Sequence, residues 1–172
     1  MALKNNKKSN TKKNNRKSKR ISSSSMIAKK TFKNNTLNSS KKLYQDILNV
    51  FMQMLTTIKL YHWKTSNYST HKATDQLYSD LNDKIDNFVE VLLGKNIATG
   101  VMRSYILNVK TIKPTIFRDN NQLKREIESY KSFLINFTNQ PQMKQNSNSD
   151  LLNIRDEILA VLNQFLYLLS LH

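Results

Sequence analysis

Apolar residues recur at spacings of three and four along two neighbouring stretches of the chain. The first stretch runs from Leu43 to His62, and the second runs from near Ser69 to Gly94. This spacing places the apolar side chains on one face of an α-helix, so each stretch is predicted to form an amphipathic helix. Residues 65–67, Thr-Ser-Asn, interrupt the period between them. The pattern predicts a helical hairpin, with Gly94 as the residue that follows its second helix.

A long connection separates this hairpin from the rest of the chain. Residues 95–118 show no sustained period and contain Gly100 and Pro114, which are residues that interrupt helices. We expect one short helix within this connection, from Met102 to Asn108. A segment of this length is long enough to pass from one end of a helical bundle to the other.

A second predicted hairpin completes the fold. Its first helix is expected from about Asn120 until just before Gln140-Pro141, and its second helix from Ser149, the expected N-cap, to the C-terminus. Two hairpins joined by one long crossover correspond to the ferritin-like arrangement. The predicted fold class is all-α: a ferritin-like four-helix bundle with one long crossover, preceded by a disordered basic N-terminal tail.

Charge separates the tail from the bundle. The chain has 28 Lys and Arg residues against 12 Asp and Glu, a net charge of +16, and fourteen of these cations but no acid lie in residues 1–42. The rest of the chain is therefore nearly neutral. Residues 1–38 are rich in Lys, Asn and Ser, and contain too few apolar side chains to offset the entropy of ordering the backbone. We predict a disordered tail over 1–38 and a bundle over 39–172.

Composition excludes several kinds of site. The chain has no cysteine, so disulfides, thiolate metal sites and cysteine nucleophiles are excluded. Two glycines and two prolines are too few for a Gly-rich phosphate loop or for the turns of an all-β domain. No apolar segment of a signal peptide follows Met1, so we expect the mature chain to start at or near that residue. The apolar residues 151–171 are interrupted by polar side chains and are predicted to form a core helix, with no membrane partner.

Four polar residues share one side of the second predicted helix. His71, Asp75, Asp86 and Glu90 fall within an arc of about 100° beside its apolar face. The His71/Asp75 pair lies roughly 22 Å along the helix from the Asp86/Glu90 pair, because each residue adds about 1.5 Å. One chain cannot bring both pairs to one metal ion. Two copies packed antiparallel about a two-fold axis could, and they would form two equivalent sites with N and O ligands suited to iron or another divalent first-row metal.

The order and spacing of these residues resemble a known family signature. The motifs His62-Trp63, His71-x-x-x-Asp75 and Asp86-x-x-x-Glu90 resemble the ferroxidase signature of Dps proteins, the DNA-binding miniferritins. The Lys- and Asn-rich composition is also similar to that of small Dps-related proteins of large DNA viruses. The resemblance implies a hollow dodecamer built from two-fold dimers, in which Fe(II) binds between subunits and is oxidised by peroxide or oxygen.

The resemblance also implies a role for each residue of the signature. Metal ligands would come from two subunits, with His62, His71 and Asp75 from one and Asp86 and Glu90 from the other. Trp63 would lie near the metal as an electron donor. The implied metal is iron, with zinc or manganese as alternative divalent ions, and the implied location is intracellular, at a nucleoid or virion. The predicted catalytic residues are His62, Trp63, His71, Asp75, Asp86 and Glu90.

The basic tail is predicted to bind DNA. It contains no folded recognition element, so we expect its cations to neutralise phosphates without reading bases. A nuclear localisation signal and a simple aid to solubility are the alternatives for the same residues. The predicted DNA-binding residues are Lys7, Lys8, Lys12, Lys13, Arg16, Lys17, Lys19, Arg20, Lys29 and Lys30.

Two further alternatives concern the helices. In one, Asp75 and Asp86 pair with Lys72 and Lys84 on a solvated face, which would contribute about 0.3–0.5 kcal/mol for each pair. In the other, the protein is a non-enzymatic, histone-like shell that condenses DNA and keeps the miniferritin fold without ferroxidase activity. Trp63 and Tyr68 are expected to pack at the end of the hairpin.

Overall fold

The computed structural model describes residues 11–95, 100–114, 116–144 and 146–171, with the backbone alone in 11–37, in 100–102 and at residue 146. The described residues form helices joined by turns and irregular segments, and contain no strand. Their elements are α1 (Thr11–Lys64), α2 (Tyr68–Lys95), α3 (Gly100–Ile106), α4 (Asn120–Thr138), a 3₁₀ turn (Asn146–Asn148) and α5 (Ser149–Leu169). The all-α prediction is confirmed.

The predicted hairpin is present, and Asn67 explains where its second helix starts. Residues 65–67 are not helical, and the side-chain oxygen of Asn67 accepts a hydrogen bond from the backbone N–H of Thr70 at 2.9 Å. An Asn side chain in this position satisfies a backbone donor that the first turn leaves free. The other end differs from the prediction, because α2 continues through Gly94 to Lys95.

The first helix begins earlier than the hydrophobic period does. The backbone is helical from Thr11, whereas composition predicts a disordered segment through residue 38. Residues 11–64 contain no glycine or proline, the two residue types that most strongly interrupt helices. The chain forms two compact units, residues 1–40 and residues 41–172. The disorder of residues 1–38 and the domain boundary at residue 38 stay predictions.

Side-chain capping determines where α4 begins. Asp119 precedes α4 and accepts the backbone N–H of Gln122 at 2.9 Å, while the Gln122 side chain accepts the backbone N–H of Arg118 at 2.8 Å. These reciprocal bonds start α4 at the predicted residue. The N-cap of α5 is Asn148 rather than Ser149. The short α3 begins and ends two residues before the range predicted for it.

The four longer helices share one hydrophobic core in residues 41–172. Phe88 of α2 contacts Phe51 of α1 and Phe137 of α4 edge-on, with ring centroids 5.2 and 6.1 Å away. Ile158 and Leu162 of α5 are fully buried in the same core. Burial of each such side chain contributes about 1.5–3 kcal/mol, so this core is the main source of stability.

Ion pairs show that α2 and α5 are antiparallel. Lys95 at the end of α2 lies 2.7 Å from Asp150 at the start of α5. Lys84, three turns earlier in α2, lies 2.5 Å from Glu157, further along α5. α5 therefore runs back toward the turn that joins α1 and α2. This turn marks one end of the unit, which we call the hairpin end.

α4 starts at the hairpin end and runs parallel to α2. Asn120 in its first turn accepts the Tyr61 hydroxyl at 2.6 Å and lies 3.4 Å from the Thr70 hydroxyl. α1 and α5 thus run toward the hairpin end, and α2 and α4 run away from it. Residues 96–119, which we call the crossover, join the end of α2 to the start of α4, and the described residues among them return along the helices.

The crossover follows α1 through side-chain bonds to its backbone. The Gln45 amide donates to the carbonyl of Asn108 at 2.6 Å, and the Asn49 side chain accepts the N–H of Lys110 at 2.7 Å. Nearer the hairpin end, Lys64 donates to the carbonyl of Phe117 at 2.5 Å. Polar side chains of α1 thus satisfy backbone groups that the crossover cannot satisfy by itself.

The most apolar helix is a core helix. α5 buries Leu151, Ile158 and Leu162 against the other helices, as its interrupted hydrophobic pattern predicts. In the described parts of the chain, no helix combines the length and the apolar character needed to cross a membrane.

Candidate metal centre at the hairpin end

Two histidines stack on each other across the hairpin. His62 lies in the last turn of α1 and His71 in the first turns of α2. Their ring centroids are 3.9 Å apart and their planes differ by 26°. His62 is buried and His71 is half-buried. A connection of three residues forces this approach, because it leaves the end of one helix directly beside the start of the next.

Each histidine donates to the backbone of the other. Nδ1 of His62 lies 3.1 Å from the carbonyl oxygen of His71, and Nδ1 of His71 lies 3.0 Å from that of His62. A carbonyl oxygen only accepts, so both neutral rings carry their proton on Nδ1. The lone pairs are then on the Nε2 atoms. Metal-binding histidines commonly have this arrangement, with one nitrogen held by a carbonyl and the other available for a ligand bond.

Thr74 lies next to the histidine pair. Its hydroxyl is fully buried and lies 2.8 Å from the carbonyl of Thr70 and 3.0 Å from that of His71. The hydroxyl proton is thus directed to the backbone of its own helix. The oxygen remains available as a second acceptor, 3.4 Å from Nδ1 of His62.

Asp75 adds a carboxylate at the same end. Its Oδ1 atom lies 3.8 Å from Nε2 of His62, and its side chain is 55% exposed. Asp75 follows His71 by one helical turn, so both project from the same side of α2. The hairpin thus places three predicted ligands at the same end of the unit, two with nitrogen donors and one with oxygen donors, but not close enough together to hold a metal ion.

The other two predicted ligands lie elsewhere. Asp86 and Glu90 are exposed, three to four turns further along α2. Within the ranges that the structure describes, no three His, Asp or Glu side chains come close enough together to hold a metal ion. A single chain therefore carries the predicted ligands as two separate groups.

An apolar groove on the surface includes one of the predicted ligands, Asp86. It lies between α1 and α2 and has a volume of about 540 Å³. Trp63 lines it near the hairpin end, and Asp86 lines it near the middle of α2. Leu107 of the crossover also contributes. The remaining lining is mostly apolar and includes Leu48, Leu55, Leu60, Ile85 and Val89.

The two aromatic residues of the hairpin are exposed, which corrects the prediction that they pack there. Trp63 is 68% exposed and Tyr68 is 75% exposed. The Lys59 ammonium lies 5.7 Å from the centroid of the Trp63 ring and 4.6 Å from that of Tyr78. Sequence reasoning missed Lys59, although its spacing of four residues from Trp63 places both on one side of α1.

The alternative in which Asp75 and Asp86 pair with neighbouring lysines is not what the structure contains. Lys84 pairs with Glu157 of α5, and this carboxylate raises the pKa of Lys84. Asp75 lies against His62 instead of Lys72. The carboxylate of Asp86 borders the groove.

The predicted DNA-binding residues belong to the other unit. Lys7 and Lys8 lie outside the described residues. For the other eight, between Lys12 and Lys30, the structure describes the helical backbone alone. Their interaction with DNA stays a prediction.

The model of the DUF5856 family, described as a family of unknown function, matches residues 62–169. No curated protein and no solved structure matches the chain. The matched segment begins at His62 and ends with α5, so it contains all five predicted metal ligands and excludes the basic tail. Because the match covers more than half of the sequence, the chain belongs to the DUF5856 family.

Proposed function

We propose that this protein is a Dps-like miniferritin that binds and protects DNA, oxidises Fe(II) with peroxide or oxygen, and stores iron. The observation that carries the proposal is the stacked pair of His62 and His71. Their reciprocal bonds keep both Nδ1 protons on backbone carbonyls, which leaves both Nε2 atoms as ligands.

The direction of the helices supports the ferritin-like part of the proposal. α2 and α4 are parallel and are joined by the crossover, whereas each hairpin is antiparallel. A four-helix bundle with a single long crossover has this order of directions.

The division of the ligands supports sites that two subunits share. A second copy related by a two-fold axis, with its α2 antiparallel to the first, places Asp86 and Glu90 of the partner subunit beside His71 and Asp75. The groove between α1 and α2 contains Asp86 and Trp63, so it is the surface that this contact would cover. The homo-oligomer is a dodecamer under this proposal, with the two-fold dimer as its building unit.

The ligand types suit the reaction. Imidazole nitrogens of His62 and His71 bind Fe(II), and the carboxylates favour the harder Fe(III) ion, so the mixed set favours oxidation. Two Fe(II) ions each lose one electron, and one peroxide molecule with two protons accepts both electrons to form two water molecules. Trp63 is exposed and lines the groove, which supports a role as an electron donor near this site.

The tail supports the DNA-binding part. Fourteen cations and no acid lie in residues 1–42, and each phosphate contact by such a cation releases a bound counterion. Many tails on one shell would raise the overall affinity through multivalency. We therefore expect binding that is independent of DNA sequence and steeply weakened by salt.

A second candidate function is a non-enzymatic, histone-like shell that condenses DNA. The observation that favours it is the separation of the two parts, because the tail cations lie outside residues 62–169 and need no metal ligand. The fold and the tail would suffice for this function without iron oxidation.

An anaerobic Fe(II) titration followed by peroxide distinguishes the two functions. The fluorescence of Trp63 reports binding, and ferric absorbance reports oxidation. The ferroxidase proposal predicts saturation at about one or two irons per subunit, because each two-fold dimer has two equivalent sites, and then rapid oxidation. Absence of saturable binding, with DNA retardation retained, would favour the histone-like shell.

A further inference from the structure

Charge is unevenly divided between two sides of the core unit. α2 and α5 together carry eight acids and four cations. Residues 41–64 of α1, the crossover and α4 together carry eleven cations and four acids. The pairing of α2 with α5, and of α1 with α4 and the crossover, therefore produces one acidic side and one basic side.

Ion pairs increase the difference in unpaired charge between the two sides. On the acidic side, Lys84, Lys95 and Arg155 each lie within 4 Å of a carboxylate of α5. On the basic side, Lys110 and Lys131 have a carboxylate partner. Five exposed cations of the crossover and α4 have no ion pair within the described residues, and we call them the crossover face. They are Arg103, Lys113, Arg118, Lys124 and Arg125.

The crossover face is held on a folded backbone. The crossover is bonded to α1 at Asn108, Lys110 and Phe117, on both sides of Lys113. Arg118 donates its backbone N–H to Gln122 in the first turn of α4, next to Lys124 and Arg125. These cations thus keep their spacing, unlike cations on a disordered segment.

We propose that the crossover face is a second DNA-contacting surface, which binds backbone phosphates together with the basic tail. The inference rests on the proposed function, because the tail supplies the first contact with the same DNA. Exposed cations without a carboxylate partner gain most from a phosphate, since each releases the counterion of that phosphate and breaks no existing ion pair. The acidic α2–α5 side repels DNA, so the duplex meets the molecule from the basic side.

Salt-dependent DNA binding by the full-length protein tests this surface. We compare K113Q/R118Q and K124Q/R125Q with K72Q/K84Q, a control that removes two cations from the acidic side. Each of the first two variants should reduce the slope of log Kobs against log salt by about 1–2, because each phosphate contact contributes about 0.9. The control should leave the slope unchanged, and DNA sequence should have no influence.

Four results would overturn the inference. If K12Q/K13Q/R16Q/K17Q lowers the slope and the crossover-face variants do not, the tail alone binds DNA and the proposed function survives. If K72Q/K84Q lowers the slope equally, net charge acts instead of a surface. If the crossover-face variants change the sedimentation coefficient with an unchanged slope, the face contacts the acidic side of a second copy. Absence of DNA binding by the unaltered protein would overturn the proposed function as well.

Discussion

The two polar pairs of α2 lie in different surroundings. His71 and Asp75 lie beside His62, within a network that joins the last turn of α1 to the first turns of α2. Asp86 and Glu90 lie on the same helix and are exposed. One pair is thus held by the fold of a single chain, and the other is left at its surface.

The difference has a simple physical origin. A connection of three residues brings the two helix ends together, so contacts between nearby residues build the histidine pair. Asp86 and Glu90 lie too far along α2 for the hairpin turn to bring a ligand beside them. If the five residues form one site, its first half is preorganised within a subunit and its second half depends on assembly.

The largest expected effect is on iron oxidation after loss of the exposed pair. D86A/E90A should lower the initial rate of Fe(II) oxidation by about 100-fold, because removal of groups that hold a metal costs at least as much as loss of their supporting partners. Stopped-flow ferric absorbance measures this rate. D80A/D83A is the matched control, with the same charge change on the same helix. Equal oxidation rates in the unaltered protein and in both variants would contradict this comparison of the two polar pairs, because Asp86 and Glu90 would then have no role at the metal.

The next effect concerns the stability of the histidine pair. H62A removes a buried ring together with its reciprocal bonds, so we expect it to lower the free energy of unfolding by about 2–3 kcal/mol. D86A should change that free energy by less than about 0.5 kcal/mol, because its side chain is exposed. Urea unfolding monitored by circular dichroism measures both. Similar values for the two variants would contradict a preorganised first half.

A smaller effect should follow from removing the Thr74 hydroxyl next to the histidine pair. T74V keeps the shape of the side chain and removes the hydroxyl next to Nδ1 of His62, so we expect a loss of about 1 kcal/mol and about tenfold weaker Fe(II) binding. T56V is the control, because Thr56 also bonds the carbonyl one turn earlier, at 2.8 Å, and lies away from the histidines. Anaerobic titration with Fe(II) should separate the two variants. Equal iron affinity would exclude a positioning role for Thr74.

The smallest effect lies at the far end of α2, where an ion pair has only a structural role. Hydrogen bonding to Lys95 lowers the pKa of Asp150 below its ordinary value of 3.8. The stabilisation is therefore present above that value and is lost as the pH falls through the lowered pKa. K95Q should cost about 0.2–1 kcal/mol at neutral pH, and the difference from the unaltered protein should disappear in acid. Thermal unfolding between pH 7 and pH 3 measures it. A difference in stability between K95Q and the unaltered protein that persists in acid would contradict an origin in the Lys95–Asp150 ion pair.

The helices could be predicted because their signals are local. The interruption at residues 65–67 and the cap at Asp119 each act within one turn, so the pattern locates α2 and α4 closely. The misplaced helix ends have a local reason too. Asn148 and Ser149 are both good N-cap residues and lie side by side, and the sequence pattern does not choose between them. Gly94 is tolerated within a helix, so its presence alone did not end α2.

The sequence predicted which residues belong to the candidate site but did not predict how they are arranged. Helical spacing placed His71 and Asp75 on one side of α2, and the hairpin placed His62 nearby. The reciprocal bonds of the two histidines depend on how α1 and α2 meet, which spacing within one helix does not contain. The exposure of Trp63 and the position of Lys59 against Tyr78 depend on the same packing.

The sequence by itself determined the helical periods, the basic N-terminal segment and the polar stripe of α2, because each depends on residues within a few positions of one another. Only the tertiary structure decided that α2 pairs with α5 and that the crossover follows α1. These contacts join residues more than fifty positions apart, and they divide a nearly neutral core unit into an acidic and a basic side. The physical reason is that packing of the apolar faces determines which helices are neighbours. The charged residues on the opposite face of each helix are thereby brought to the same side of the unit.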